Sequence, residues 1–300
     1  IKSYYGIVAD MSAKRPDEFL GIEKRHMKKL IEKKGNVDLL KAMQAEYRMG
    51  AMWTDEQLEH IAEAHLNGFQ IETATKYMSL QKLLNRIKKY AGCEWGTCCS
   101  SAENRLRNTV ITYMDYLNMR LALGYDLTNS VYQQPRSLQD AHAKMVLESN
   151  QKEQDKRLEE VKVRFPDIRK QYRKLRNRYF YEDEQFLIRP ARSAEEIVQE
   201  GQFLHHCVGG DTYLGKHNEG RTYILMLRKK AASEIPYITV EIDGKEDRIR
   251  QWYGAHDKKP DEKNMQRWLN TYITKLKCGA LAAGVTEEQT AGDQVLLAAI

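Results

Sequence analysis

Apolar residues recur at helical spacing through the first 180 positions, so this stretch reads as a succession of helices. Asp17 is expected to cap a run carrying Phe19, Ile22, Met27, Leu30 and Ile31, closed by Gly35 and Asn36. A second helix over 37–48 stops at Gly50. Thr54 then precedes a segment in which Leu58, Ile61, Ala62 and His65 share a face, acidic residues fill the first turn, and Gly68 closes the helix. Another helix is expected over 75–90, and a longer one over 103–124 turns Val110, Tyr113, Met114, Leu117 and Leu121 inward as core. Pro135 and Ser137 open a helix over 137–165 whose second half is almost wholly charged, which places it on the surface or projecting.

The pattern changes near Glu182. A short strand over 186–190 is followed by a helix that Ser193 caps, with Glu196 completing a capping box and Gly201 ending it. Segments 221–229, 236–242 and 247–254 are rich in β-branched and aromatic residues and read as three strands, with Asp243 and Gly244 at a hairpin turn. A last helix over 261–277 aligns Met265, Trp268, Leu269, Tyr272 and Leu276 on one face. The fold class is therefore α+β: a helical region over 1–181 ending in a basic helix, and a small module over 182–278 with a short antiparallel sheet. The tail over 279–300 reads either as flexible or, within 286–300, as a further helix.

Composition narrows the class. Hydrophobic residues make up 42% and charged residues 30% of 300, which suits a folded globular chain. The longest apolar run, 279–285, is far short of the roughly 20 residues of a membrane-spanning helix, so no membrane insertion is expected. Residues 1–19 lack the pattern of a secretory signal, and a first residue other than methionine points to trimming or to a piece of a longer chain. Cys93, Cys98, Cys99, Cys207 and Cys278 form neither a disulfide framework nor paired zinc knuckles, which fits a reducing cytoplasm, with Cys93, Cys98 and Cys99 expected to be buried as small apolar groups.

A net charge of +6 favours acidic partners, nucleic acid foremost. Its densest expression lies over 162–178, where Lys162, Arg164, Arg169, Lys170, Arg173, Lys174, Arg176 and Arg178 face the single acidic Asp167, with Tyr172, Tyr179, Phe180 and Tyr181 close by. Cations displace counterions from phosphates and flat rings stack on bases, so this run is a candidate nucleic-acid contact; a solvated face whose tyrosines pack on a neighbour is the alternative.

His60 and His65 are five apart, do not stack as metal ligands would, and read as ordinary helical residues. His205, His206 and Cys207 stand together before Gly209 and Gly210 and form the densest reactive cluster. Neighbours on a helix point about 100° apart, so the three do not make a ready metal site, even with His217, His256 and Glu241 as further ligands. Cys207 as nucleophile with a histidine base and Glu241 or Gln251 to orient it is one reading; acid and base work by a histidine and Glu241, with Arg228 and Arg250 steadying charge, is another. A buried Cys207 with one bonded and one exposed histidine is the third.

The series EGQFLHHCVGG, GRTYILMLRK, PYITVEI and IRQWYG resembles the C-terminal domain of the PcfJ-like family, encoded on bacterial conjugative plasmids, integrative elements and phages. The likeness spans 107–268. His206 and Cys207 match that family's HC pair, Thr239 and Glu241 its T-x-E strand, and Gln251 and Gly254 the end of the next strand. Ala255, His256, Asp257 and Lys258 depart from the asparagine-bearing polar tract usual after that glycine. The resemblance implies a mobile-element accessory protein in the bacterial cytoplasm, associated with DNA-transfer machinery and a nucleoprotein partner. Alternatives are a hydrolase or transferase, nuclease-like among them, using His206, Cys207, Glu241 and Gln251, and a structural adaptor. No cofactor is assigned.

Overall fold

A computed structural model describes residues 2–4, 7–97 and 99–281. Cys98 and the expected tail beyond 281 lie outside the described residues. The chain divides into two compact units, 1–152 and 153–300. The composition change at Glu182 does not coincide with this division, and the basic helix falls in the second unit.

The first unit opens on a hairpin, β1 (Lys2–Tyr4) and β2 (Ile7–Ala9), that the helical reading of the first hundred residues did not include. The expected Asp17-capped run is broken: α1 (Pro16–Leu20) has Arg15 as its cap residue, Gly21 turns left-handed after it, and α2 covers Met27–Glu32. Next come α3 (Val37–Met49), ended by left-handed Gly50, and α4 (Asp55–Glu63), which Thr54 and Gln57 start with a capping box. Gly68 does not close α4; His65 takes a left-handed conformation and Asn67 caps a new helix, α5 (Gly68–Thr75). The expected helix over 75–90 begins later, as α6 (Leu80–Ala91), because the Ser79 side chain caps it. Helices α7 (Ser100–Ala122) and α8 (Ser130–Gln133) follow, and α9 (Leu138–Arg164) begins in this unit and continues past residue 152, with residues 150–156 exposed as their charge requires. Cys93 is half-buried and Cys99 exposed, so the expected burial fails for Cys99.

In the second unit, α10 (Pro166–Tyr179) leads into β3 (Tyr181–Glu182) and β4 (Phe186–Pro190), then α11 (Ala194–Leu204) and α12 (Asp211–Asn218). Strands β5 (Thr222–Lys229), β6 (Ile238–Asp243) and β7 (Ile249–Tyr253) precede α13 (Glu262–Lys277). The five strands form one antiparallel sheet in the order β3-β4-β5-β6-β7. Successive side chains of a strand point to opposite faces. One face, with Ile188, Leu225, Leu227, Ile238, Val240, Ile242 and Trp252, packs with Leu175 and Tyr179 of α10 and Met265, Leu269 and Tyr272 of α13. The other combines apolar Ile224 and Met226, packed with Ile197 and Val198 of α11 and Leu214 of α12, with polar Arg228, Thr239, Glu241 and Gln251. A register shift between Glu241 and Ile242 keeps Gln251 opposite Glu241 while Ile249 still pairs with Ile242. This sets the polar stripe of the second face.

Candidate functional site

Ser193 Oγ accepts from the Glu196 backbone N–H at 3.3 Å and starts α11; the Glu196 carboxylate turns to the Arg192 N–H at 2.6 Å and to Arg189. Gly201 does not end this helix, as the sequence suggests, but lies within its last turn. A Cβ on Gly201 would sit 2.9 Å from the Gly209 nitrogen and 3.0 Å from the His206 carbonyl oxygen, and one on Gly209 would sit 3.0 Å from the Val198 Cα. The two glycines thus let the 3₁₀ turn Cys207–Gly209 lie directly against α11. The reversal is made by His205, left-handed at φ 54°, after which the His206 N–H returns to the Gly201 carbonyl at 3.0 Å.

This irregular backbone separates the three reactive neighbours. The His205 ring leaves the cluster and stacks on His256, centroids 4.7 Å apart. His206 and Cys207 instead line a cavity of about 430 Å³ with Tyr213, Thr239, Glu241, Gln251, Tyr253 and Asp257. His256 and Asp257 are left-handed at φ 56° and 55°, so two strained segments, at 205 and 256–257, flank the site.

Two hydrogen-bonded chains meet there. In the first, Gln251 Nε2 donates to Glu241 Oε2 at 2.7 Å and to the Tyr213 hydroxyl at 3.2 Å, and the Cys207 thiol lies 3.7 Å from the same hydroxyl. The Gln251 amide acts to lower the Tyr213 pKa, but burial, Cys207 and Glu241 together outweigh it and raise the phenol above its ordinary value. Glu241 Oε1 is buried without a hydrogen-bond partner, a costly arrangement that an occupant donating a hydrogen bond to it would relieve. In the second chain, His206 Nε2 bonds Thr239 Oγ1 at 3.1 Å, and Thr239 donates to Glu200 Oε1 at 3.0 Å. Glu200 receives two bonds from Arg228, at 2.9 and 2.5 Å. Burial pushes the His206 imidazole below its ordinary pKa, against its own backbone and the Glu200 and Asp257 carboxylates.

The structure thus brings His206, Cys207, Glu241 and Gln251 to one cavity and leaves His205 out of its lining. Arg228 holds Glu200 and Arg250 holds Asp243, so neither charge lies in the lining; Arg250 and two backbone N–H donors depress the Asp243 carboxyl to about 2. Tyr213, Tyr253 and Glu200 were not singled out from the sequence, and Asp257 was named there only as a departure from the family's polar tract. Strand alternation from Glu241 and Gln251 could have suggested Tyr253, but nothing local marks Glu200, which acts from a helix 39 residues before Thr239. His217 is buried on α12, where Nδ1 accepts from the Ile224 N–H at 3.1 Å. Among the described residues no group of three or more His, Cys, Asp or Glu side chains is placed to hold a metal ion.

The basic run is divided among roles. Arg176 is buried and lies over the Phe180 ring, and Arg178 pairs with Asp247 at 2.6 Å. Arg169 is half-buried, whereas Lys170, Arg173 and Lys174 are exposed, with Lys170 also bonded to Asp167 at 2.9 Å. Among the described residues no helix is long and apolar enough to cross a membrane.

The chain is 29% identical over 165 residues to "Uncharacterized protein Lin1253/Lin1744" of Listeria innocua serovar 6a (strain ATCC BAA-680 / CLIP 11262), covering 55% of this chain and 34% of that protein. It therefore spans about a third of that relative's length. No solved structure matches the chain. The profile described as PcfJ-like protein matches residues 112–268, more than half of the chain and all of the cavity lining, and the chain belongs to the PcfJ-like family.

Proposed function

We propose that the second unit is an enzyme of hydrolytic or group-transfer type with Cys207 as its nucleophile. The observation that carries this reading is the convergence of Cys207, His206, Glu241 and Gln251, from one turn and two strands, on a single cavity. The thiol is exposed and reachable by a substrate. Burial favours a neutral His206 that can take up the thiol proton. Tyr213, kept as a phenol, retains a proton to donate to negative charge developing on the attacked group. Glu241 and Gln251 orient that group. Iodoacetamide alkylation followed by peptide mapping tests this without a known substrate. Cys207 is expected to react about tenfold faster than the exposed Cys278, with the excess lost in His206→Ala. Equal rates at the two cysteines would remove the nucleophile.

A second reading rests on the exposed Lys170, Arg173 and Lys174, which lie on one side of α10. We propose that this side contacts nucleic acid or a nucleoprotein, in the mobile-element setting that the family resemblance implies. Reversing the three charges together with Arg169 is expected to weaken retention on DNA or RNA and to flatten its salt dependence, and unchanged binding refutes the contact.

A further inference from the structure

We infer that Glu200 and Thr239 are positioning residues for His206, fixing its imidazole as the Nε2–H tautomer so that the ring's lone pair is on Nδ1. The inference rests on the reading of His206 as a proton acceptor, and it adds the residues that decide which nitrogen accepts.

The protons available to Glu200, Thr239 and His206 fix the direction of each bond. Glu200 Oε1 accepts from Arg228 Nη1 at 2.9 Å and from Thr239 Oγ1 at 3.0 Å, while Oε2 accepts from Arg228 Nη2 at 2.5 Å. A carboxylate clamped by a guanidinium can only accept. The Thr239 hydroxyl has one proton, and Glu200 takes it. What Thr239 Oγ1 then presents to His206, 3.1 Å away, is a lone pair, so Nε2 must be the donor. A neutral imidazole that donates from Nε2 has its basic lone pair on Nδ1.

The relay is shielded from water. Glu200, Arg228 and Thr239 are 2%, 3% and 6% exposed, so the bonds that hold the Glu200 carboxylate and take the Thr239 proton are made away from bulk water. Its members come from α11, β5 and β6, three elements with no shared local sequence. A purely structural ion pair would bind α11 to the sheet equally well, but it would leave the tautomer of His206 unselected.

Long-range proton–nitrogen correlation spectra of the full chain, labelled with ¹⁵N-histidine, test the relay, with His206→Asn to assign the ring among eight histidines. The wild type is expected to show His206 as Nε2–H, with a ring proton protected from solvent exchange. Thr239→Ser should preserve that signal and Thr239→Val should abolish it. An Nδ1–H ring in the wild type overturns the inference, as does a protected Nε2–H signal that survives Thr239→Val. Should Thr239→Val fail to fold, the wild-type tautomer and the Thr239→Ser rescue still decide. Alkylation of Cys207 separates the two claims. An Nε2–H ring beside a Cys207 no faster than Cys278 supports the relay while removing the nucleophile.

Discussion

His217 shows what a single buried side chain imposes on the whole molecule. Its ring is enclosed on α12, with Nδ1 accepting from Ile224 and the ring edge-on to Tyr223, and burial lowers its pKa to about 3. The unfolded chain, where a histidine titrates near 6.5, therefore takes up the proton first. The stabilising effect of the neutral ring is complete above about pH 6.5 and is lost as pH falls toward 3, at about 1.4 kcal/mol per unit. Denaturant unfolding across this range is expected to be steeper in pH by that amount for the wild type than for His217→Asn, whose side-chain oxygen can still accept from Ile224. Parallel slopes would contradict it. At this scale the sequence was most legible on strands, because alternation puts Thr239 and Glu241 on one face whatever packs there. It was least legible in the basic run, where Arg176 and Arg178 are claimed by Phe180 and Asp247.

Gly201 makes the corresponding point for an element. Glycine after a helical pattern ordinarily marks its end, but α11 continues to Leu204, and left-handed His205 makes the turn. The glycine is required because the turn Cys207–Gly209 approaches the helix too closely for a side chain. In an open helix Gly→Ala would stabilise by about 1 kcal/mol. Here the added Cβ meets backbone atoms of Gly209 and His206 that cannot swing aside. Gly201→Ala is expected to destabilise by about 1–3 kcal/mol in urea unfolding and to shift the alkylation rate of Cys207. A stabilised variant would show that the turn yields freely.

For the whole molecule, the division into two units coincides with a division of the cores. One apolar cluster uses residues from Ile22 to Met145, and the other two begin at Val161 and Leu175, so among the described residues no core residue is shared. Calorimetry is expected to resolve two transitions, with Leu84→Ala lowering one and Leu225→Ala the other, each by about 2–5 kcal/mol. A single transition lowered by both substitutions would mean that the units unfold as one.

The sequence by itself determined the α+β class, the later strands of the sheet and most helices from α3 onward, and it named His206, Cys207, Glu241 and Gln251 as candidates without bringing them to one cavity. Each of these follows from local periodicity, capping chemistry or a compact motif, which are properties of neighbours along the chain. Only the tertiary structure decided that His205 leaves its neighbours for His256, that Tyr213 joins Cys207 to Gln251, and that Glu200 and Arg228 stand behind Thr239. Those partners are brought together by the packing of α11 and α12 on the polar face of the sheet, and no spacing in the sequence encodes a distance across two elements.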